Sequence, residues 1–363
     1  MSSVILSSTI IDKYTDLWRI LKVPFFHYLC TMVFCSKAPL RLGLAGGGSD
    51  VSPYSDMYGG HVLNATINLA AYCTVEPVPD DVIKVKADDA GIDMVVPLDA
   101  KTGAVLIDGV IARMGPLPSG FEIHTWNDAP AGSGLGTSST MVVAILKCFS
   151  EWLGKPLSTS ELAHTAYEIE RLDLALAGGK QDQYAAAFGG FNFMTFNRDS
   201  SVDVEPLEVP PVTSKALQDS MLLYYTGRSR ESAVIIAEQQ KATRSGKAEA
   251  VEAMHRIKQS AIDMKAVLLE GNLKEFARIL GSAWEDKKKM AGAITNPMIQ
   301  EAFDTAMAAG AISGKVSGAG GGGFIMLMVP PSEKAFVASA LSRLPGRIVP
   351  FTFTHQGAQS WKR

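Results

Sequence analysis

The chain has 363 residues, 47 % of them hydrophobic and 20 % charged, with 37 acidic side chains against 34 basic ones and a net charge of −3. That is ample apolar material for a core and too little charge for a disordered chain, and the length suits two compact units better than one. The near-neutral balance leaves no basic stripe to meet nucleic-acid phosphates, and no uncharged apolar run reaches the roughly 18 residues that a membrane helix needs.

Residues 1–31 differ in character from the rest of the chain. The apolar stretch from Ile20 to Cys35 is broken by Lys22, Pro24 and His27, and Asp12 and Asp16 precede it, the reverse of the order in a secretory signal. Patterned sequence begins at Met32, a candidate functional start. Residues 1–31 are therefore expected to be an appendage outside the fold, with a helix packed on the surface as the alternative.

Strand patterns are predicted at 32–44, from His61 to Val75, from Val82 to Val85 and from Phe121 to Thr125. A helix from Ser133 to Trp152 is apolar almost all round and should be buried. A second helix, Leu157 to Leu176, opens on a Ser158–Glu161 capping box. After the Pro210–Pro211 joint come a strand at Ser220–Thr226 and helices near 230–245, 247–270, 273–290 and 296–309. Short strands at Lys315–Ser317 and Phe324–Val329 flank a Gly-rich bend, followed by a helix over 332–343 and a strand over 347–353. Interleaved strands and helices in both halves predict an α+β protein of two domains, 32–212 and 213–363.

Cys30, Cys35, Cys73 and Cys148 form no C-x-x-C pair, and the six histidines form no H-E-x-x-H. Disulfides and a zinc centre are not expected, and reduced thiols fit a cytoplasmic protein.

Seventeen of the 33 glycines fall within 43–48, 132–136, 178–190 and 314–323. Such clusters let backbone amides converge on a ligand, as a phosphate requires. The strongest is Pro130-Ala-Gly132-Ser133-Gly134-Leu135-Gly136-Thr137-Ser138-Ser139, which runs straight into the buried helix. Its amides and the positive helix end suit a triphosphate, and one of its hydroxyls could reach a phosphate-bound Mg²⁺. Neither the P-loop nor a convincing dinucleotide fingerprint is present.

This segment resembles the second motif of the GHMP kinases (galacto-, homoserine, mevalonate and phosphomevalonate kinases). The first motif is matched from Lys37 to Asp50 and the third from Lys315 to Gly323, so all three occur in family order over about residues 32–355. The resemblance implies a domain like ribosomal protein S5 domain 2 followed by a ferredoxin-like domain. Gly46–Asp50, Gly178–Tyr184 and Phe188–Asn192 look most like the sugar-1-kinases acting on D-glycero-D-manno-heptose 7-phosphate, with part of the pattern shared by fucokinases. Thr140 stands where the family usually has Ala, and back-bonding to a carbonyl is expected of its hydroxyl.

By this resemblance ATP is the donor, held by residues 130–139, and Mg²⁺ is held by Ser138 and Glu170. Asp182 is the candidate base beside the acceptor hydroxyl, with capping of its own helix as the alternative. Lys180 would screen charge or orient Asp182. Asp50, with Arg41, Gly47, Gly48 and Ser49, would meet sugar hydroxyls, as would Gln181 and Gln183, while Gly320 and Gly321 would border the acceptor. Arg228 and Arg230, or Arg41 and Lys180, would grip a distal phosphate, whereas Lys287–Lys289 reads as a solvated helix end. Glu170 paired with Arg171, and Asp50 as a plain turn residue, are the competing structural roles.

The resulting expectation is phosphorylation of the anomeric hydroxyl of a heptose 7-phosphate, feeding nucleotide-activated heptose for surface polysaccharide. The alternatives are another sugar-1-kinase of fucokinase type, or a catalytically silent sugar and ATP sensor. The partner is a sugar phosphate rather than nucleic acid or membrane, and a homodimer is open to the chain because soluble enzymes often form C2 pairs.

Overall fold

A computed structural model describes residues 32–228 and 232–363. The expectations for residues 1–31 and for Arg230 lie outside the described residues. The first unit is built from β1 (Phe34–Ala45), α1 (Tyr54–Tyr58), β2 (Gly60–Val78), β3 (Val82–Ala87), β4 (Ile92–Pro97), α2 (Val105–Met114) and β5 (Gly120–Asn127). It continues with α3 (Thr137–Trp152), α4 (Thr159–Glu168), α5 (Gln181–Phe188), β6 (Phe191–Phe196), β7 (Val202–Leu207) and α6 (Pro211–Asp219). The second contains β8 (Met221–Tyr225), α7 (Ser232–Arg244), α8 (Ala248–Leu269), α9 (Leu273–Lys288), α10 (Pro297–Ala308), β9 (Ser313–Val316), β10 (Phe324–Met328), α11 (Lys334–Leu341) and β11 (Arg347–Ile348). A last strand, β12 (Gln359–Lys362), closes the chain.

The first sheet runs β12-β1-β2-β5-β3-β4, with β6 and β7 continuing from the long β2. Eleven of the twelve residues of β1 are buried, without the alternation of a one-faced strand. Helices cover both sides of it: α3 and α5 on one, α8 and α9 on the other. The all-round apolar α3 is buried as expected, but it begins at Thr137, because Gly136 at φ 79° cannot extend a right-handed helix. Thr140 is fully buried, and its Oγ1 has no partner. The expected back-bond to a carbonyl is not made.

The capping box of α4 forms, with Glu161 N–H donating to Ser158 Oγ at 3.3 Å and Ser158 N–H to Glu161 Oε2 at 2.8 Å. The helix does not reach Leu176: it passes at Ile169 into a π-helical turn, Ile169–Asp173. Such turns often sit at functional sites, and this one carries Glu170 and Arg171.

The second sheet is antiparallel with order β11-β8-β10-β9. Counted within this unit the order is 4-1-3-2, with helices between its first two and last two strands, which is the ferredoxin-like β-α-β-β-α-β arrangement. Only Arg347–Ile348 of the strand expected over 347–353 is formed.

The expected division at 212/213 falls inside α6, whose end at Asp219 precedes β8, and it leaves out a further feature. β12 returns to pair with β1 (Phe34 opposite Lys362), so the C-terminus completes the first sheet. One hydrophobic core also joins the units, with Leu42 and Leu63 from the first sheet among Met264, Phe276 and Phe324 from the second unit. No helix among the described residues is long and apolar enough to cross a membrane.

Candidate active site

The three Gly-rich motifs meet in one cleft of about 320 Å³ between the units. No side chain caps α3, so its first amides have no intrahelical acceptor and its positive end opens on the cleft. Gly132, Gly134, Gly136, Thr137, Ser138 and Ser139 line the cavity. The intervening Ser133 and Leu135 are buried beneath it, and Pro130 is exposed outside it. These three support the loop through backbone bonds instead: Ser133 N–H donates to Pro130 C=O, and Arg41 N–H to Leu135 C=O, both at 3.2 Å.

The third motif is stapled to the second. Ser317 Oγ donates to Gly134 C=O at 2.7 Å, and Phe324 N–H to Ser133 C=O at 3.0 Å. A Cβ on Gly134 would fall 2.5 Å from the Ser317 oxygen, and one on Gly318 2.7 Å from Gly134 Cα. Both residues also have positive φ, so glycine is required at each for this backbone contact. Gly318 and Ala319 line the cleft. Gly320 and Gly321, expected there, pack on Ile294, whose carbonyl accepts from Gly321 N–H at 2.7 Å. The bend turns back after Ala319 to enter β10, which carries them away from the cavity.

Asp182 sits in the first turn of α5 but does not cap it. Its Oδ1 accepts from Arg41 Nε at 2.7 Å and lies 2.6 Å from Arg41 Nη2. Arg41 is 4 % exposed on β1 and also donates from Nη1 to Gly134 C=O at 2.8 Å. One guanidinium thus fixes the carboxylate against the Gly-rich loop. Asp182 Oδ2 accepts from no described residue, and the side chain lines the cleft.

Asp50, 1 % exposed, accepts from Gly48 N–H and Gln181 Nε2 at Oδ1 (3.1 and 3.0 Å), and from Lys180 N–H and Gln181 N–H at Oδ2 (3.0 and 3.1 Å). It therefore latches the first motif to the start of α5. Gly47, Gly48, Asp50 and Gln181 line the cleft. Ser49 does not. It is fully buried, its hydroxyl proton shared between the Gly46 and His61 carbonyls at 2.8 and 2.9 Å, while Gly46 C=O also accepts from Ser49 N–H at 3.0 Å.

Lys180 also turns away. Its Nζ donates to Ser200 C=O at 3.3 Å and lies 5.5 Å from the centre of the Tyr167 ring. Burial lowers its pKa, opposed by Asp56, Asp50 and Asp199. Neither orienting Asp182 nor screening transferred charge fits this placement, because only its amide is committed to the site, through Asp50.

Glu170, 2 % exposed, accepts from Ser138 Oγ at 3.0 Å and from Gln183 Nε2 at 2.6 Å, and pairs with Arg171 Nη1 at 3.3 Å. The Arg171 pair expected as its structural role is therefore made, on the same carboxylate that Ser138 contacts. Gln183, expected to meet sugar hydroxyls, is fully buried one residue beyond Asp182, where the helix turns it inward to position Glu170 and Ser139. The Ser138 and Glu170 oxygens form the oxygen-only donor pair that a hard divalent cation takes with phosphate oxygens and water. No group of three or more His, Cys, Asp or Glu side chains among the described residues offers a metal site of its own.

Arg228 is exposed and absent from the cleft wall. Apart from Arg41, the cations that do line it are ones to which the sequence reading gave no site role. Arg171 ties α3 to the 178–179 loop, through Ser139 Oγ at 3.3 Å and Gly179 C=O at 3.1 Å. Lys287, expected to be solvated, is 4 % exposed and donates to Gly318 C=O, while Lys288 and Lys289 do remain on the surface with Glu285 and Asp286. Lys315 donates to Gly43 and Leu44 carbonyls at 2.8 and 3.3 Å. Burial pushes Lys287 down to about 8, with Arg41 adding to the shift and Asp50 opposing it. Lys315 is lowered well below the usual range by burial, then by Lys287 and Arg41. The amphipathic pattern of α9 could have flagged Lys287, which falls on its apolar side with Ala283 and Trp284.

Comparison with known proteins agrees with this geometry. The pattern of the GHMP kinases N terminal domain matches residues 104–190, and that of the GHMP kinases C terminal matches residues 264–346. The chain is 41 % identical to D-glycero-alpha-D-manno-heptose 7-phosphate kinase of Campylobacter jejuni, over 90 % of this chain and 98 % of that one. The chain belongs to the GHMP kinase family. A crystal structure of a D-glycero-D-manno-heptose 1-phosphate kinase from Bacteroides thetaiotaomicron superposes on this kinase with a TM-score of 0.76 at 51 % identity, covering 90 % of this chain and 98 % of that one. L-fucokinase/L-fucose-1-P guanylyltransferase of Bacteroides fragilis is more distant, 27 % identical over 82 % of this chain and 35 % of the longer protein. As in other GHMP kinases, the phosphoryl donor is ATP.

Proposed function

We propose that this GHMP kinase transfers the γ-phosphoryl group of ATP to the anomeric hydroxyl of D-glycero-D-manno-heptose 7-phosphate, giving the 1,7-bisphosphate on a route to nucleotide-activated heptose. The names of the two heptose kinase relatives agree on the sugar and differ in the phosphate they mention. This reading takes the phosphate to be on O7 of the substrate and the transfer to be to O1.

One observation carries the chemistry: Asp182, held by Arg41 against the Gly134–Gly136 loop, lies between the phosphate cradle and the Asp50–Gln181 latch. A sugar hydroxyl at Asp182 Oδ2 gives its proton to that oxygen as it attacks the γ-phosphorus, and the bond to the β–γ bridging oxygen breaks with ADP leaving. Arg41 fixes Oδ1, so the carboxylate is oriented before the substrate arrives, and such positioning supplies much of the acceleration in phosphoryl transfer. The free amides of α3 take the phosphate oxygens. Ser138 and Glu170 would hold Mg²⁺, which neutralises phosphate charge when bound, and Gln183 keeps Glu170 in place for it.

The test is ADP release by the full chain with Mg²⁺ over a panel of free sugars and sugar phosphates. Turnover on heptose 7-phosphate far above that on free mannose or fucose is expected, with a 1,7-bisphosphate product by ³¹P NMR. Preference for an unphosphorylated sugar would overturn the substrate, and binding without turnover on any acceptor would overturn the activity.

A further inference from the structure

The cleft contains more positive charge than its own carboxylates satisfy. Asp182 is paired with Arg41, Glu170 with Arg171, and Asp50 is filled by three backbone amides and Gln181. Lys287 and Lys315 are 4 % and 5 % exposed, and among the described residues neither has a carboxylate within ion-pair distance. Each ammonium is held only by backbone carbonyls. Two buried like charges without an anion are costly, and buried charges are ordinarily paired.

Lys315 lies on the first-motif side of the cleft, and Lys287, bonded to Gly318, stands where the third motif meets the Gly134 loop. Lys315 is anchored on Gly43 and Leu44 of the first motif, and the Gln181 side-chain oxygen lies beside Gly43. The charges that act most on Lys287 are Arg41 and Asp50, not Glu170 or Arg171. Arg41 and Asp50 flank Asp182, the candidate base for the acceptor, and both ammoniums line the cleft with them.

We infer that Lys287 and Lys315 form the seat for the phosphate already carried by the sugar substrate, and so set the preference for a sugar phosphate over a free sugar. The inference rests on the heptose phosphate reading above. It replaces the expected grip by Arg228, which is exposed outside the cleft, or by Lys180, which faces Ser200.

The test is steady-state kinetics of Lys287→Gln in the full chain, with heptose 7-phosphate and unphosphorylated heptose as acceptors. KM for the sugar phosphate should rise at least tenfold, KM for ATP should stay within twofold, and the preference for the phosphorylated acceptor should collapse. A rise in KM for ATP instead would assign the ammonium to the nucleotide and overturn the inference, as would no change in either KM. Inorganic phosphate provides a second measurement that does not depend on the sugar. It should raise the melting temperature of the wild-type protein saturated with a non-hydrolysable ATP analogue, and should not raise that of Lys287→Gln or Lys315→Met. Equal shifts in wild type and variants would overturn the seat. If the wild type prefers a free sugar while phosphate still stabilises it through these lysines, the substrate reading fails and the anion site stands.

Discussion

Arg41 and Asp182 are 141 residues apart in the chain, yet two guanidinium nitrogens lie 2.7 and 2.6 Å from a single carboxylate oxygen. The same arginine holds the carbonyl of Gly134, so β1, the phosphate loop and α5 are joined through one side chain. Asp182→Asn keeps the shape and can still accept a hydrogen bond at its amide oxygen, but it cannot take the acceptor's proton. Its kcat should fall by about 10²- to 10⁴-fold, with a modest drop in melting temperature because the buried Arg41 loses its anion. Retention of near-wild-type kcat would exclude Asp182 as the base.

Arg41→Met should cost both activity and stability. Asp182 is 21 % exposed, so water reaches it, and the loss of stability should be about 2 kcal/mol rather than the larger figure for fully buried pairs. Arg41→Lys retains the charge without the planar fork and should still lose kcat. Urea unfolding beside kinetics separates the two effects: full activity in Arg41→Lys would show that charge alone suffices.

For the proposed cation pair, Glu170→Gln removes the carboxylate while preserving contact with Ser138. The Mg²⁺ concentration for half-maximal activity should rise by about a hundredfold or more, and Gln183→Leu, which only releases Glu170, should show a smaller rise in the same direction, on the order of tenfold. A Mg²⁺ titration that is unmoved in Glu170→Gln would place the cation elsewhere.

Thr140 offers a stabilising change. Its hydroxyl is buried in α3 without a partner, and an unmet buried polar group costs about 1–3 kcal/mol. Thr140→Val keeps the branched shape and removes the oxygen. The melting temperature should rise by roughly 2–4 °C per kcal/mol recovered, and a fall would mean that the hydroxyl is bonded in solution.

The pH dependence follows from Lys287. Burial holds its folded pKa at about 8, below the usual lysine value, with Arg41 and Lys315 as neighbouring cations and Asp50 as the opposing anion. An anionic ligand favours the charged form and so raises that pKa on binding. Between pH 8 and the higher pKa of the complex, binding must take up a proton, and affinity for the sugar phosphate must weaken as pH rises. Calorimetry at about pH 8.5 in two buffers of different ionisation enthalpy should show the uptake in wild type and its loss in Lys287→Gln.

The place of the Gly-rich loop in the cleft wall was legible because its signal is local: Gly132, Gly134 and Gly136 directly precede an apolar run, and a loop that opens a buried helix exposes amides whatever surrounds it. The Ser158–Glu161 box was legible for the same reason. Lys287 was not. Three consecutive lysines at a helix end have the pattern of solvated charge, and only the approach of the Gly318 loop buries the first of them. Ser49 and Gln183 failed in the opposite way, since both stand inside motifs whose neighbours face the cleft, yet the turn at Gly46 and the pitch of α5 direct them into the interior.

Sequence alone determined the two-unit α+β plan, the three glycine loops and the candidate chemistry of Asp182, Asp50, Ser138 and Glu170, because backbone geometry and motif order act over a few residues. Tertiary structure decided which groups share the cavity. Pairing of β12 with β1 and the core common to both units bring segments from opposite ends of the chain together, and burial then converts Lys287 and Lys315 from ordinary surface-type residues into cleft-lining lysines with no carboxylate partner among the described residues. Hydrophobic burial and electrostatic pairing depend on neighbours supplied by distant sequence, and no local pattern encodes those neighbours.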